Sequence, residues 1–139
     1  MMEGLVLDVS VALSWCFEDE MTPEGAALLQ RVRSMRIVVP PLWHVEVANA
    51  LVQAQCRNRI EAAAADEFLT LLGDLLVETD HDLEHRGPRA LIALAQAHRL
   101  TAYDASYLEL ALRRALPIAS HDSALRDAAS AAGIDVIPA

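Results

Sequence analysis

The 139-residue sequence contains no lysine, only two cysteines and few aromatic side chains. Two cysteines are too few for a structural zinc site or a disulfide scaffold. We therefore expect Cys16 and Cys56 to be reduced core residues of a cytoplasmic protein. All 11 basic residues are arginines, and with 20 acidic residues the net charge is −9. That charge by itself argues against a nucleic-acid-binding protein, which usually carries basic patches.

Long hydrophobic runs are also absent. No apolar stretch approaches the roughly 18 residues that a membrane span needs. The N-terminus lacks a basic region, and Asp8 interrupts its apolar run, so a signal peptide is not expected. The apolar fraction of 54% suits a buried sheet, and the length predicts a single domain over residues 1–139.

Apolar runs alternate with helical patterns along the chain. This alternation predicts an α/β protein with a mainly parallel sheet. We expect strands at 4–8, 37–39, 75–77, 116–119 and 135–137. We expect helices at 10–17, 22–36, 42–57, 61–75, 88–98, 104–115 and 123–132, the first of them capped by Ser10.

Two of these helices have predicted inward faces, and two polar stretches are expected to be solvated. In helix 22–36 the inward residues are Ala26, Leu29, Val32 and Met35, and in helix 42–57 they are Leu42, Val45, Ala48 and Val52. The stretches at 18–20 and 80–85 are predicted to be polar loops.

Four acidic residues occupy informative positions. Asp8 ends the first strand, and Asp122 follows the strand 116–119 by three residues. Asp104 opens a helix, and Glu46 lies among apolar neighbours within helix 42–57. Because ligands of open parallel sheets bind at the carboxyl ends of the strands, several of these acids point to one edge of the sheet.

Each acid also has a simpler structural explanation. Asp8 and Asp122 could cap helices, Asp104 could be the N-cap of its own helix, and Glu46 could pair with an arginine. Taken together, however, clustered carboxylates repel one another and raise each other's pKa. Such a cluster stays ionised when it binds a hard cation, and Mg²⁺ or Mn²⁺ suits an all-oxygen ligand set.

Four motifs in order carry a family resemblance over nearly the whole chain. They are LDVSVAL at 7–13, PPLWHVEVANAL at 40–51, YDASYLELA at 103–111 and LPIASHDSAL at 116–125. Their order and spacing resemble PIN-domain ribonucleases, specifically VapC-type toxins. The resemblance implies a three-layer α/β/α sandwich with a mainly parallel five-stranded sheet in the order 3-2-1-4-5.

The resemblance also implies a site. It assigns catalytic and metal-binding roles to Asp8, Glu46, Asp104 and Asp122, and supporting roles to Ser10, Asn49 and Ser120. The two serines match positions that keep a hydroxyl near the acids, and Asn49 matches a polar position that orients the first aspartate. His121 departs from the pattern of many relatives, and we expect it to face solvent.

The activity that the resemblance implies is Mg²⁺- or Mn²⁺-dependent endonucleolytic cleavage of RNA, leaving 5′-phosphate and 3′-hydroxyl ends. It further implies a homodimer and a cognate VapB-type antitoxin packed on an apolar groove walled by helices 22–36 and 42–57. Three arginine groups, at 31–36, 57–59 and 113–114, either contact RNA phosphates or complement helix dipoles.

Other functions fit the residues less well. A phospho-acceptor domain needs a lysine, and a haloacid-dehalogenase-type phosphatase needs both a lysine and an aspartate where Ser10 stands. Dinucleotide binding needs a glycine-rich turn after the first strand. A metal site at His81 and His85 is weakened by the Gly87-Pro88 that follows. The remaining alternative is a catalytically silent PIN fold that binds protein or RNA.

Overall fold

The computed structural model describes residues 4–139, which form a parallel sheet and a series of helices. The strands are β1 (Gly4–Leu7), β2 (Arg36–Val39), β3 (Val77–Thr79) and β4 (Ile118–Ala119). The α-helices are α1 (Val9–Ser14), α2 (Pro23–Val32), α3 (Leu42–Cys56), α4 (Ala62–Gly73), α5 (Leu83–Arg86), α6 (Pro88–His98), α7 (Ala102–Arg114) and α8 (Ser123–Ala131). A 3₁₀ helix covers Glu18–Glu20.

The sheet has four strands in the order β3-β2-β1-β4, all parallel. The expected fifth strand at 135–137 is wrong, because Val136 makes only an isolated bridge to Ile118. Proline explains the short pairing: Pro117 and Pro138 flank the two segments and have no N–H to donate to a ladder. The order of the other four strands agrees with the sequence-based expectation.

The core lies on both faces of the central strands. Every residue of β1 is buried, and so are the last three residues of β2. Because neighbouring residues of a strand face opposite sides, full burial of β1 requires cover on both faces. One covering element is α7, which packs against β1 with Tyr107, Leu108 and Ala111 fully buried.

Helix boundaries follow local capping chemistry. The Thr22 hydroxyl accepts a hydrogen bond from the Gly25 N–H at 2.8 Å, and Pro23 opens α2, as predicted. Helix α6 has the predicted bounds. The inward face predicted for α2 is wrong in part, because Ala26 is exposed and Leu28 is buried.

The buried face of α3 differs from the predicted one. Val45 and Val52 are 69% and 58% exposed, whereas Trp43, Val47 and Leu51 are buried. Apolar residues surround most of this helix, so their spacing did not distinguish the inward face from the outward one. An apolar groove of about 560 Å³ lies between α3 and α4. Its lining includes Trp43, Val47, Val52, Leu69 and Leu72.

The cysteines and the first polar stretch also depart from expectation. Both cysteines are free thiols, but Cys56 is exposed and Cys16 only partly buried, so the core interpretation is wrong for Cys56. The stretch at 18–20 is ordered by Arg59, whose Nη2 lies 3.0 Å from Asp19 Oδ1 and 2.7 Å from Glu20 Oε2. The same guanidinium stacks over the Phe17 ring at 3.9 Å.

The second polar stretch, residues 80–85, was predicted to be a solvated loop, but its first residue is buried. Asp80 follows β3 and is buried, with its backbone N–H bonded to the Val39 carbonyl. Its carboxylate binds both Nη atoms of Arg113, at 2.8 and 3.0 Å, and Nη1 of Arg114 at 2.9 Å. A buried carboxylate is costly unless it is paired, so these two arginines are held by an internal ion network.

Asp80→Asn is expected to destabilise the protein at neutral pH. The hydrogen bonds from Arg113 lower the pKa of Asp80 to about 2 from 3.8, which corresponds to about 2 kcal/mol. That stability is present above pH 3.8 and is lost as pH falls through about 2. Urea unfolding across this pH range measures it.

The matched control is Asp82→Asn. Asp82 also faces Arg113, at 3.5 Å, but its side chain is 70% exposed, so its loss should change the free energy of unfolding very little. Equal destabilisation by the two substitutions would contradict the role given to Asp80.

No helix within residues 4–139 is long and apolar enough to cross a membrane.

Candidate functional site

The site is built at the carboxyl end of β1. Asp8 directly follows this strand, and its N–H donates to the Ala119 carbonyl at 3.0 Å, which joins it to the end of β4. Its side chain is buried, and although Asp8 occupies the N-cap position of α1, its carboxylate makes no capping bond. The helix-cap explanation therefore does not account for the Asp8 side chain.

Two serine hydroxyls hold the Asp8 carboxylate. Ser10 Oγ donates to Asp8 Oδ2 at 2.8 Å, and Ser120 Oγ donates to the same oxygen at 2.6 Å. Each hydroxyl also accepts a backbone N–H at 3.0 Å, Ser10 from His121 and Ser120 from Asp122. The predicted capping role of Ser10 is wrong, because its hydroxyl joins Asp8 to the loop after β4.

Glu46 is held by a tyrosine and not by an arginine. The Tyr107 hydroxyl donates to Glu46 Oε1 at 2.7 Å, across 61 residues of sequence. Burial raises the pKa of Glu46, and the negative charges of Asp8 and Asp104 raise it further, while the hydrogen bond from Tyr107 opposes the rise. Burial and the neighbouring Glu46 also raise the pKa of Tyr107, which therefore stays protonated and donating.

The other two acids lie at helix starts. Asp104 is on the first turn of α7, but the cap of this helix is the Thr101 hydroxyl, which accepts the Asp104 N–H at 3.1 Å. Burial and then the charges of Asp122 and Asp8 raise the pKa of Asp104. Asp122 does cap its helix, since its Oδ1 accepts the Leu125 N–H at 2.9 Å.

The structure thus couples all four predicted acids electrostatically. The charges of Asp8 and Asp104 raise the pKa of Glu46, and the charges of Asp122 and Asp8 raise the pKa of Asp104. Across residues 4–139, however, no group of three or more acidic, histidine or cysteine side chains is arranged to hold a metal ion. The ligand chemistry still fits a hard cation, because a nearby positive charge stabilises the ionised form of carboxylates whose pKa is raised. Mg²⁺ also commonly keeps several of its waters, so it needs few direct protein ligands.

Two further predicted residues are placed differently from expectation. Asn49 is exposed on α3, and no side-chain hydrogen bond joins it to Asp8 in the described part of the chain. His121 is only partly exposed, and its Nε2 is buried without a hydrogen-bond partner among residues 4–139. The expectation that His121 faces solvent is therefore wrong for this atom.

Sequence reasoning missed Tyr107 as part of the site. A usable signal existed, because Tyr107 is three residues after Asp104 on the same helix, and residues at this spacing share a face. Its hydroxyl belongs to the site because it contacts Glu46 directly.

Comparisons with known proteins agree with this architecture. A family model described as PIN domain matches residues 5–131. The crystal structure of PAE2754 from Pyrobaculum aerophilum is 22% identical with a TM-score of 0.68, covering 92% of this chain and 87% of that chain. FitAcB from Neisseria gonorrhoeae is 15% identical with a TM-score of 0.62, covering 96% of each chain. These identities show likeness of fold alone, and no curated protein matches the chain.

Asp104→Asn is expected to raise the melting temperature of the protein in EDTA at pH 7, because burial and the charges of Asp122 and Asp8 disfavour the ionised Asp104 carboxylate. The raised pKa of Asp104 means that its ionised form opposes folding at neutral pH. The gain should shrink as pH falls toward the pKa of this carboxyl, because the wild-type group then takes up a proton. Thermal unfolding at a series of pH values tests this.

The matched control is Asp127→Asn, an exposed acid on α8, which should leave the melting temperature nearly unchanged. A melting temperature for Asp104→Asn at or below that of the wild type at pH 7 would contradict the unfavourable burial and repulsion of this carboxylate.

Proposed function

The chain belongs to the PIN-domain family, and we propose on that premise that it is a Mg²⁺- or Mn²⁺-dependent endoribonuclease of the VapC toxin type. PIN domains are generally nucleases, and the fold often occurs in toxin–antitoxin systems. The observation that carries the proposal is the buried Asp8 carboxylate, which two hydroxyls hold at the carboxyl end of β1 and whose charge raises the pKa of Glu46 and Asp104. We further propose that residues 1–139 form a single cytoplasmic PIN domain.

PIN nucleases generally use divalent metals, and the acids described here supply suitable ligands. Asp8, Glu46 and Asp104 would hold a first ion, directly or through water, and Asp122 would complete the site. A bound divalent cation makes hydroxide accessible near neutral pH and neutralises charge at the phosphate. Asn49 and Ser120 are assigned supporting roles, together with Ser10.

The protein's own groups prepare this chemistry. Ser10 and Ser120 both bind Asp8 Oδ2, which fixes the carboxylate and leaves its second oxygen for other partners. A carboxylate of the site accepts the proton of the attacking water. The reaction is hydrolysis of an RNA phosphodiester, in which water adds to phosphorus and the 3′-oxygen leaves.

Salt bridges within the protein reduce the number of arginines that are free to contact the substrate. Arg36 pairs with Glu78, and Arg59, Arg113 and Arg114 also carry internal salt bridges. Arg31, Arg33 and Arg57 form no salt bridge within residues 4–139. These three therefore remain as candidates for phosphate contacts among the predicted arginine groups.

We also propose a VapB-type antitoxin and a homodimer as partners. The apolar groove between α3 and α4 supports a protein partner, because Val52 and Leu69 leave large apolar side chains exposed there. Residues of α3 line this groove, as expected for helix 42–57, but its second wall is α4 and not the helix expected at 22–36.

The experiment is cleavage of structured and single-stranded RNA by purified, antitoxin-free protein in Mn²⁺ or Mg²⁺. Asp8→Asn should lower the rate by at least about 100-fold, because it removes a charge that the metal needs. EDTA should abolish cleavage, and the products should carry 5′-phosphate and 3′-hydroxyl ends.

Asp127→Asn is the control and should cleave like the wild type. If the wild type does not bind metal and does not cleave any RNA in a broad panel, the nuclease proposal fails. The chain would then be the silent PIN-fold module that binds protein or RNA, and Asp8 would serve only to organise the loop after β4.

A further inference from the structure

The Tyr107 hydroxyl lies where the elements of the acidic site meet. Tyr107 is on α7, one turn after Asp104, and its side chain is fully buried. Its hydroxyl donates to Glu46 Oε1 on α3 at 2.7 Å. One phenol therefore joins the helix that carries Asp104 to the helix that carries Glu46.

Packing alone does not explain this hydroxyl. A buried phenylalanine would fill nearly the same volume, whereas a buried phenol must find a hydrogen-bond partner. The partner here is a carboxylate that two other carboxylates repel. Without the tyrosine, Glu46 would be free to rotate away from Asp8 and Asp104 toward solvent, because its side chain is only partly buried.

We propose that Tyr107 is a positioning residue that holds Glu46 for cation binding by anchoring Glu46 Oε1 and leaving Oε2 for the ion. This inference rests on the proposed metal-dependent function. It assigns to Tyr107 the role that hydrogen-bonded partners of ligating carboxylates have in metal sites, where their loss weakens metal binding about 10- to 100-fold.

Tyr107→Phe removes one oxygen atom from this arrangement. Mn²⁺ binding, measured by isothermal titration calorimetry without RNA, should weaken about tenfold. The control is Ser14→Ala, which removes another buried hydroxyl, one that within residues 4–139 bonds only the Val11 carbonyl of its own helix. This control should bind Mn²⁺ like the wild type, and melting in EDTA should show that both variants are folded.

A double-mutant cycle separates positioning from a general packing role. If Tyr107 acts through Glu46, then Tyr107→Phe should cause no further loss of Mn²⁺ affinity in a Glu46→Ala background. A merely structural tyrosine would weaken binding by the same factor in both backgrounds, which would overturn the inference.

A second measurement follows the ultraviolet absorption of Tyr107 in the folded protein. In a Tyr103→Phe background, Tyr107 is the one remaining tyrosine, and Mn²⁺ should perturb its ultraviolet difference spectrum. The perturbation should disappear when Glu46→Ala is added. A perturbation of the same size with and without Glu46 would contradict the proposed contact.

The outcomes distinguish failure of the Tyr107 inference from failure of the proposed metal-dependent function. Equal Mn²⁺ affinity of wild type and Tyr107→Phe, in a wild type that cleaves RNA, overturns the inference alone. A wild type that neither binds Mn²⁺ nor cleaves RNA overturns the inference and the proposed function together.

Discussion

The charge of Asp8 at the end of a buried strand is the constraint on which the site depends. Burial would make this carboxylate costly, and two hydroxyls compensate by donating to one of its oxygens. These two serines, Ser10 and Ser120, also accept the N–H groups of His121 and Asp122. These bonds attach the loop that carries Asp122 to the end of β1. The hydroxyls that stabilise the Asp8 carboxylate therefore also fix the position of Asp122.

The buried aspartates Asp80 and Asp8 lie in opposite charge environments. Asp80 is surrounded by arginine, which lowers its pKa to about 2 and makes it a structural tie between β3 and α7. Asp8 has hydroxyls and further carboxylates for neighbours, which leaves negative charge uncompensated at the edge of the sheet. Such a concentration of like charge opposes folding, and it is the pattern expected where a site is arranged for a cation.

Helix α7 connects these two regions. Its first turn carries Asp104, its middle carries Tyr107 against Glu46, and its last turn carries Arg113 and Arg114 against Asp80. The arginine pairs fasten the carboxyl end of the helix while its buried residues pack on β1. A helix fixed along its length can hold a short hydrogen bond to Glu46 in place, which loops do less well.

The order of elements, the parallel sheet and the position of Asp8 and Asp122 after neighbouring strands could be predicted from the sequence, because apolar runs, caps and proline are local signals. Tertiary structure decided which partner each charge has. Ser120 meets Asp8 across 112 residues, Tyr107 meets Glu46 across 61, and Arg113 meets Asp80 across 33. It also decided which side of α3 is buried and how short the pairing at Val136 is. Periodicity describes one segment at a time, whereas these features depend on which segments pack together.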